Sequence, residues 1–179
     1  MVPAKHELPS CSIRLALVSD FDEAMALIER AIAAMCASGI DQWDDHYPDE
    51  TVIRDDIRSG SLHAATIGAA LAGVIALNEQ QEPEYANLRW TITGRILVAH
   101  RLAIDPQYQR RGVATALMRH AEQLAVHQYD AIRLDAFAAN PGALALYDRL
   151  GYTRVGTVEF RKGTFFCFEK RPADMNAGR

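Results

Sequence analysis

The chain has 179 residues and a formal net charge of −4, with 49% hydrophobic and 23% charged residues. These values predict a soluble globular protein with a core of its own. They do not favour nucleic acid as a partner, because a basic surface would be expected for one. We expect no secretory signal, since residues 1–10 contain no apolar core of the usual kind. We also expect no membrane association, since no apolar run is long enough to span a bilayer.

The three cysteines, Cys11, Cys36 and Cys167, are odd in number and far apart, which predicts neither a disulfide framework nor a metal knuckle. No histidines have the H-E-x-x-H spacing of a zinc site, so we predict no metal. These features predict a reducing, cytoplasmic setting. We expect a single domain with a short tail on either side, divided as residues 1–11, 12–171 and 172–179.

The first part of the chain predicts a strand, a long helix and a short helix. Residues 12–18 alternate apolar and polar side chains as a strand does. Asp20 with Glu23 three residues later has the spacing of a capping box, and the helix that begins there continues to Gly39. After the acidic, aromatic loop IDQWDDHYPDE, a short helix is expected at residues 50–58.

The middle of the chain predicts a hairpin followed by a central strand and a helix. LHAATIGA and LAGVIALNE are two strands that turn near residues 69–70, and the polar residues 79–88 are expected to be a loop. RILVAHRLAI, residues 95–104, is apolar on both faces, as a doubly covered central strand is. A helix with an apolar stripe follows Gly112.

The last part of the chain predicts a strand, a short helix and two final strands. AIRLDAF alternates as a strand, Asn140 and Pro141 have the chemistry of a helix start, and Gly151 that of a helix end. The final strands are expected near residues 153–160 and 164–170. This order of elements predicts a mixed α/β (α+β) sheet with helices on both faces.

The helix after the central strand begins in an unusual charge environment. Arg110 and Arg111 precede Gly112 in QRRGVA, although a helix N-terminus already carries partial positive charge. A phosphate bound by the arginines and the free N–H groups of the helix start would make this arrangement favourable. Glycine would let the backbone approach that phosphate, with no Cβ in the way. The alternative is a solvated arginine pair beside a turn.

QRRGVA does not match the P-loop or the dinucleotide-binding glycine motif. Following a strand that ends in Asp-Pro, it resembles the Q/R-x-x-G-x-G/A motif of the GNAT superfamily of acetyl-CoA-dependent N-acetyltransferases, with Ala114 where glycine is commoner. HRLAIDP resembles the family's fourth strand, and NPGALALYDRLGY its later Asn…Tyr…Leu-Gly-Tyr/Phe signature. The resemblance covers residues 12–170. It implies a mostly antiparallel central sheet that splays between strands 4 and 5.

The resemblance also implies how acetyl-CoA, the cosubstrate, is held. The splayed fourth strand supplies backbone groups for the pantetheine arm and the acetyl carbonyl. The helix start supplies amides for the pyrophosphate, and Asn140 matches a residue that binds the pantetheine as well as capping its helix. The implied cofactor-binding residues are Leu102, Ala103, Ile104, Gln109, Arg110, Arg111, Gly112, Val113, Ala114, Thr115 and Asn140.

His100 and Tyr147 are the implied catalytic residues. An imidazole titrates near neutral pH and suits the removal of a proton from an ammonium acceptor, directly or through water. A buried histidine bonded to a backbone carbonyl is the alternative. Tyr147 matches the tyrosine that protonates the departing thiolate; otherwise it is a core aromatic. Arg101 is expected on the opposite face in a structural role. Strand alternation places four residues on one face: Val98, His100, Leu102 and Ile104.

The loop IDQWDDHYPDE matches the connection that lies over the acceptor end of the cleft in this family. Carboxylates and aromatic faces both attract an ammonium group. We therefore expect Trp43, Asp44 and Tyr47 to bind the acceptor, a small cationic amine or a peptide amino group. The alternative is that the aromatic residues pin the loop to the core while the acidic residues are solvated.

Three functions are compatible with these patterns. The first is an N-acetyltransferase that moves an acetyl group directly from acetyl-CoA to an amine, with no enzyme nucleophile. The second is a non-catalytic acyl-CoA-binding sensor or interaction module, although the presence of both His100 and Tyr147 favours the enzyme. The third, an acetyltransferase acting on charged tRNA, is disfavoured by the net charge of −4. A homodimer and a longer acyl group stay open.

Overall fold

The computed structural model describes residues 11–172. Within them, none of the helices is long and apolar enough to cross a membrane. The expected tails lie outside the described residues, apart from residues 11 and 172. The elements, in chain order, are β1 (Cys11–Leu15), α1 (Phe21–Ala37), α2 (Glu50–Arg58), β2 (Leu62–Ile67), β3 (Ala70–Asn78), β4 (Ile96–Ile104), α3 (Val113–Ala125), β5 (Ala131–Phe137), α4 (Pro141–Arg149), β6 (Thr153–Phe160) and β7 (Gly163–Lys170).

The prediction of a capping box from Asp20 and Glu23 was wrong. The Asp20 carboxylate accepts hydrogen bonds from Arg14 on β1 and from the backbone N–H of Leu17. Glu23 Oε1 accepts from the backbone N–H of Leu71 on β3, at 3.0 Å. Both carboxylates therefore attach the start of α1 to neighbouring parts of the fold, and neither makes the hydrogen bonds of a capping box at the start of α1.

Two other segments differ from expectation, and the helix start at Asn140 is confirmed. β1 ends at Leu15, short of residue 18. The loop expected at residues 79–88 contains a short 3-10 helix that buries Tyr85. At the start of α4, Asn140 Oδ1 accepts from the Ala143 backbone N–H at 3.1 Å.

The seven strands form one sheet in the order β1-β2-β3-β4-β5-β7-β6. Every neighbouring pair is antiparallel except β4 and β5, which are parallel. Side chains of α1 and α2 pack on one face of the sheet, and those of α3 and α4 on the other. The predicted mixed, mostly antiparallel sheet with helices on both faces is therefore confirmed.

The parallel pair in the middle of the sheet is short. β4 and β5 pair only from Ile96 with Ala131 to Val98 with Arg133. Beyond this point β4 stays paired with β3, and β5 stays paired with β7. The C-terminal parts of the two central strands are thus unpaired with each other, which confirms the expected splay.

Candidate active site

The gap between β4 and β5 is part of a cleft of about 890 Å³. Its walls come from both central strands, the first turn of α3, one side of α4, the side of α1, the loop at residues 40–49 and the turn between β6 and β7. The volume lies within the range of small-molecule sites, roughly 300–1,000 Å³. The helix start that the sequence analysis marked as an anion site opens into this same cleft.

A β-bulge in β4 changes which side chains face the cleft. Ala76 of β3 pairs with His100, and Val74 pairs with Ala103, so β4 has one residue more than β3 between these pairs. Arg101 occupies the bulge with φ of 52°, a left-handed value that is uncommon for a residue other than glycine.

The bulge overturns the expected alternation along β4. Ala99, Leu102 and Ile104 pack against the cluster formed with α3, whereas Val98 belongs to a cluster on the opposite face. The prediction that Val98, His100, Leu102 and Ile104 share one face was therefore wrong. The reason is physical: an inserted residue shifts the period of two, so Ala99 and Leu102, three residues apart, come to the same side.

Arg101 has the structural role that was expected, and it also reaches the cleft. Its Nε and Nη2 donate to the Asp56 carboxylate of α2 at 2.7 and 2.8 Å, and Nη1 donates to the Tyr47 hydroxyl at 2.9 Å. The side chains of Arg101 and Asp56 are 10% and 8% exposed. Removing either partner of such a buried pair leaves an uncompensated charge. The pair therefore fixes the position of Tyr47 relative to β4.

The start of α3 has the features of an anion site. Gly112 is the N-cap with φ of 82° and no side-chain cap, and Arg110 also has a positive φ, of 60°. The first N–H groups of a helix have no partner within it, and here Val113, Ala114 and Thr115 line the cleft. A Cβ placed at Gly112 would meet no protein atom within 4 Å, so the space in front of it is open.

Asp105 fixes the loop that precedes this helix start. Its Oδ1 accepts from the Gln107 backbone N–H at 3.0 Å, and its Oδ2 accepts from the Arg30 guanidinium of α1. The residue is 2% exposed. The Asp105 carboxylate, directly after the end of β4, therefore attaches the loop before α3 to α1.

Arg111 departs from the other residues expected to bind the cofactor. It does not line the cleft, and its guanidinium lies 5.6 Å from the centroid of the Tyr108 ring. Only the first arginine of the pair therefore faces the proposed phosphate position. The expected residues that do line the cleft are Leu102, Ala103, Ile104, Gln109, Arg110, Gly112, Val113, Ala114, Thr115 and Asn140.

Tyr147 and Asn140 both reach the cleft from α4. Tyr147 is 6% exposed and its ring contacts those of Tyr152 and Phe168. Burial raises its pKa, so the phenol keeps its proton at neutral pH. Asn140 caps α4 with its oxygen and donates through Nδ2 to Gln42 Oε1 at 2.9 Å. Both atoms of the amide that could bind a cofactor therefore already have protein partners.

His100 lines the cleft, but its surroundings disfavour the charged form. Nε2 lies 3.0 Å from the carbonyl oxygen of Gln80. Because a carbonyl only accepts, Nε2 carries the hydrogen and Nδ1 is left as the acceptor. Burial and the adjacent Arg101 charge lower the pKa of His100 to about 4. The ring is thus neutral at pH 7 and only weakly basic.

Asp135 was not among the residues singled out from the sequence. Ile132, Leu134 and Ala136 of β5 pack towards α3, so by alternation Asp135 lies on the other face, where it lines the cleft. Its Oδ2 accepts from the Tyr85 hydroxyl at 2.7 Å, and burial raises its pKa to about 6. In AIRLDAF, Asp135 lies on the polar side of the strand together with Arg133, so the sequence alone does not distinguish it from an exposed carboxylate.

The loop at residues 40–49 uses its predicted acceptor-binding groups largely within the protein. Trp43 is 7% exposed and packs with α1 and α2. Asp44 accepts from Lys162 and Arg161 at 2.9 and 2.8 Å, and these bonds hold its pKa well below the usual range. Trp43 and Tyr47 line the cleft within the described chain, whereas Asp44 does not. The Asp44 carboxylate is thus an unfavourable candidate for binding an ammonium group.

The comparisons with known proteins agree with this architecture. A model of the acetyltransferase (GNAT) family matches residues 25–152. A GNAT-family acetyltransferase from Streptococcus agalactiae 2603, known as a crystal structure, superposes with a TM-score of 0.83 and is 29% identical, covering 92% of this chain and 96% of that one. Because the family model matches well over half of this chain, the chain belongs to the GNAT acetyltransferase family.

Two curated relatives match shorter stretches. An N-acetylaspartate synthetase from Xenopus tropicalis is 29% identical over 96 residues, which is 53% of this chain and 31% of the relative. A [ribosomal protein bS18]-alanine N-acetyltransferase from Escherichia coli K12 is 38% identical over 52 residues, which is 28% of this chain and 35% of the relative. The matched stretches thus span about a third of each relative's own length.

Proposed function

We propose that the protein transfers an acetyl group from acetyl-CoA to an amine. The observation that carries this proposal is the opening of the uncapped α3 N-terminus into the gap between β4 and β5. An anion-binding helix start beside an unpaired strand edge suits a ligand with phosphates at one end and an amide-containing arm at the other. The GNAT family uses acetyl-CoA, a ligand of this kind.

The residues present fit that cosubstrate. The backbone N–H groups of Gly112 to Thr115 and the Arg110 side chain would hold the diphosphate, and the free edge of Leu102 to Ile104 would pair with the pantetheine arm. Acetyl-CoA supplies an acetyl group activated as a thioester. Since the protein's part is to orient two reactants and move protons, no enzyme nucleophile is needed.

In this proposal Asp135 accepts the proton that the acceptor ammonium must lose. A carboxylate whose pKa is about 6 is ionised at neutral pH and close to the range that suits a general base. His100, with a pKa of about 4, is the weaker base of the two. The N–H bond breaks, the proton goes to the carboxylate, and the electron pair stays on nitrogen for attack on the acetyl carbonyl.

Tyr147 is the proposed proton donor for the departing thiolate. Formation of the C–N bond leaves a second proton on nitrogen, and cleavage of the C–S bond leaves a negative charge on sulfur. The phenol of Tyr147 gives its proton to that sulfur and is restored by the second proton. One proton per turnover is therefore released through Asp135, and one ends on the CoA thiol.

The class of acceptor is a small amine or a peptide amino group. The names of the curated relatives describe acetylation of aspartate and of an alanine in a ribosomal protein, and both acceptors are amines. Tyr47, Glu82 and Asp135 line the cleft and supply the aromatic and acidic groups that attract an ammonium group. The three cysteines are free, which supports a cytoplasmic site of action.

The test is an acceptor screen with acetyl-CoA in which the acetylated product is identified by mass. Transfer to at least one amine, lowered by ~10²-fold or more in Asp135→Asn, would support the proposal. Tight CoA binding without transfer to any amine would instead support the non-catalytic acyl-CoA sensor.

A further inference from the structure

Residues 79–92, here called the strap, form most of the connection between β3 and β4 and lie against the sheet face opposite α3. The buried residues Tyr85 and Ile92 of the strap pack with one residue from each of three strands: Val98 of β4, Ala131 of β5 and Cys167 of β7. Asp135 is the direct partner of Cys167 in the pairing of β5 with β7, and such partners share a face of the sheet. The strap therefore lies over the part of the sheet that carries Asp135.

Two buried charged residues hold the strap on this face. Glu169 of β7 accepts from the backbone N–H groups of Thr91 and Ile92 at 2.8 and 3.3 Å, and also from the Thr91 hydroxyl. Arg133 of β5 pairs with Glu169 in the sheet, and donates to the Ile92 carbonyl at 2.7 Å and to the Gln81 side chain. Both charged residues are buried, where a polar group without a partner is costly. These contacts, here called the clasp, therefore resist movement of the strap.

The clasp is connected to Asp135 through Trp90 and Tyr85. The Arg133 guanidinium lies over the Trp90 ring, 4.1 Å from the ring centroid. The indole N–H of Trp90 donates to the Tyr85 carbonyl at 2.9 Å, and the two rings are in contact with centroids 5.2 Å apart. The Tyr85 hydroxyl in turn donates to Asp135 Oδ2 at 2.7 Å. A continuous series of contacts thus runs from Glu169 and Arg133 to the carboxylate of the cleft.

Asp135 is surrounded by several titratable or charged groups, and Tyr85 is the one that donates a hydrogen bond to it. Burial raises the pKa of Asp135, and the Tyr85 hydrogen bond is the largest influence in the opposite direction. The position of the Tyr85 hydroxyl therefore affects the pKa of Asp135 directly. The groups that interact electrostatically with Asp135 come from the strap, the loop at residues 40–49, β4, β7 and α4: Glu82, Tyr85, Tyr47, Arg101, Cys167 and Tyr147.

We infer that Glu169 is a positioning residue, which together with Arg133 holds the Tyr85 hydroxyl on the Asp135 carboxylate through the strap. Glu169 and Arg133 do not line the cleft, so they act on the acceptor site from behind the sheet surface. The importance of this for catalysis rests on the proposed function, in which Asp135 accepts a proton. When the clasp is broken, Tyr85 leaves the carboxylate, and the ionised form of Asp135 loses a donor.

The experiment measures the pKa of Asp135 in two ways, by a carbon-13 NMR titration of its carboxyl group and by the acidic limb of the pH profile of kcat/KM. The Asp135 signal is identified by its loss in Asp135→Asn. Tyr85→Phe should raise both values by about one pH unit, because a hydrogen bond to a charged group contributes roughly this much. Glu169→Gln should shift both in the same direction, because a backbone N–H of Thr91 or Ile92 then meets an amide donor in place of an oxygen.

The double variant Tyr85→Phe/Glu169→Gln tests whether Glu169 acts through Tyr85. If it does, adding Glu169→Gln to Tyr85→Phe should cause no further shift, since the shifts of two residues acting through one contact do not add. Thr91→Val approaches the clasp from the strap and provides a second test if Glu169→Gln does not fold. This variant removes the hydroxyl donor to Glu169 and should produce a smaller shift in the same direction.

The matched control is Glu122→Gln, which replaces another buried carboxylate of the protein. Glu122 belongs to α3 and accepts from Arg119 and Lys170, so its loss disturbs the packing of the fold away from the strap. We expect this variant to lose stability, because the buried Lys170 contact is weakened, while the pKa of Asp135 keeps its wild-type value. A shift as large as that of Glu169→Gln would show a general response to destabilisation and would overturn the inference.

Three other results would overturn the inference. The first is an unchanged pKa of Asp135 in Glu169→Gln or, if that variant does not fold, in Thr91→Val. The second is a shift to lower pH, which would mean that the strap acts by excluding water. The third is an additive shift in the double variant. Because the NMR titration requires no turnover, a wild type that transfers to no amine would overturn the proposed function alone. A shifted NMR titration with an unshifted rate profile would likewise refute only the role of Asp135 as proton acceptor.

Discussion

Replacing Asp135 with asparagine should stabilise the fold at neutral pH while it removes the proposed proton acceptor. The pKa of Asp135 rises from 3.8 to about 6 because the carboxylate is buried. At 1.36 kcal/mol per unit, ionising it in the folded state costs about 3 kcal/mol. Asparagine has no charge to desolvate, and its side-chain oxygen can still accept from Tyr85. Because the new amide N–H groups also need partners in the cavity, we expect a gain of about 1–3 kcal/mol.

The sign of the effect gives it a distinctive pH dependence. The folded state binds the Asp135 proton more tightly than the unfolded state does, so this group's contribution to stability is fully present below about pH 4. It is lost as the pH rises through about 6. The advantage of the variant should therefore be near zero around pH 4 and reach its full size above pH 7. Urea unfolding of both proteins across this range measures it, and groups that titrate alike in both proteins cancel.

Two results would refute this reasoning. If the difference in unfolding free energy between Asp135→Asn and the wild type is the same at pH 5 and pH 8, Asp135 is not a carboxyl group with a raised pKa. If the variant keeps the wild-type kcat/KM, Asp135 is not the proton acceptor. Tyr85→Phe provides a graded control: it removes a hydrogen bond that favours the carboxylate, so it should move the acidic limb of the pH–rate profile to higher pH and retain activity.

Three further variants test other parts of the site and fold. Gly112→Glu should abolish CoA binding in a calorimetric titration, because it puts a negative charge and a strained positive φ at the phosphate position; unchanged affinity would contradict phosphate binding at the start of α3. Tyr147→Phe should lower kcat and spare CoA affinity; an unchanged kcat would assign thiolate protonation elsewhere. Burial and His120 lower the pKa of His63 to about 4, so the unfolded state binds this proton at a higher pH than the folded state does, and stability is lost as the pH falls from about 6.5 to about 4. This loss should be smaller in His63→Gln, which urea unfolding midpoints across the range will measure.

The parts of the site that could be predicted from the sequence are those determined by neighbouring residues. Glycine before a helix supplies no capping side chain, so Gly112 indicates N–H groups at the helix start that another partner can bind. Asn140 followed by Pro141 marks the start of α4 in the same way. The strands could be predicted because an alternating pattern, or an apolar run as in residues 95–104, depends on the strand itself and not on its partners.

The parts that could not be predicted depend on contacts between distant segments. The bulge at Arg101 is a difference in residue count between β4 and β3, which the sequence of β4 alone does not contain. Asp44 reads as a free acid until Arg161 and Lys162 come beside it, from a turn far along the chain. Asp135 has the pattern of a polar residue on a half-exposed strand, and its hydrogen-bond partner Tyr85 comes from a loop fifty residues earlier in the chain.

The unpaired edge of β4 connects the fold to its proposed use. Buried backbone N–H and C=O groups without partners are costly, and a strand in the middle of a sheet normally satisfies them on both sides. After Val98, β4 has lost its β5 partner, yet Ala103 is buried at 3% exposure. An amide-containing ligand arm laid along this edge would take the place of the missing strand. The same gap that weakens the isolated sheet is therefore what would give such a ligand its binding energy, and we expect CoA to raise the midpoint of thermal unfolding.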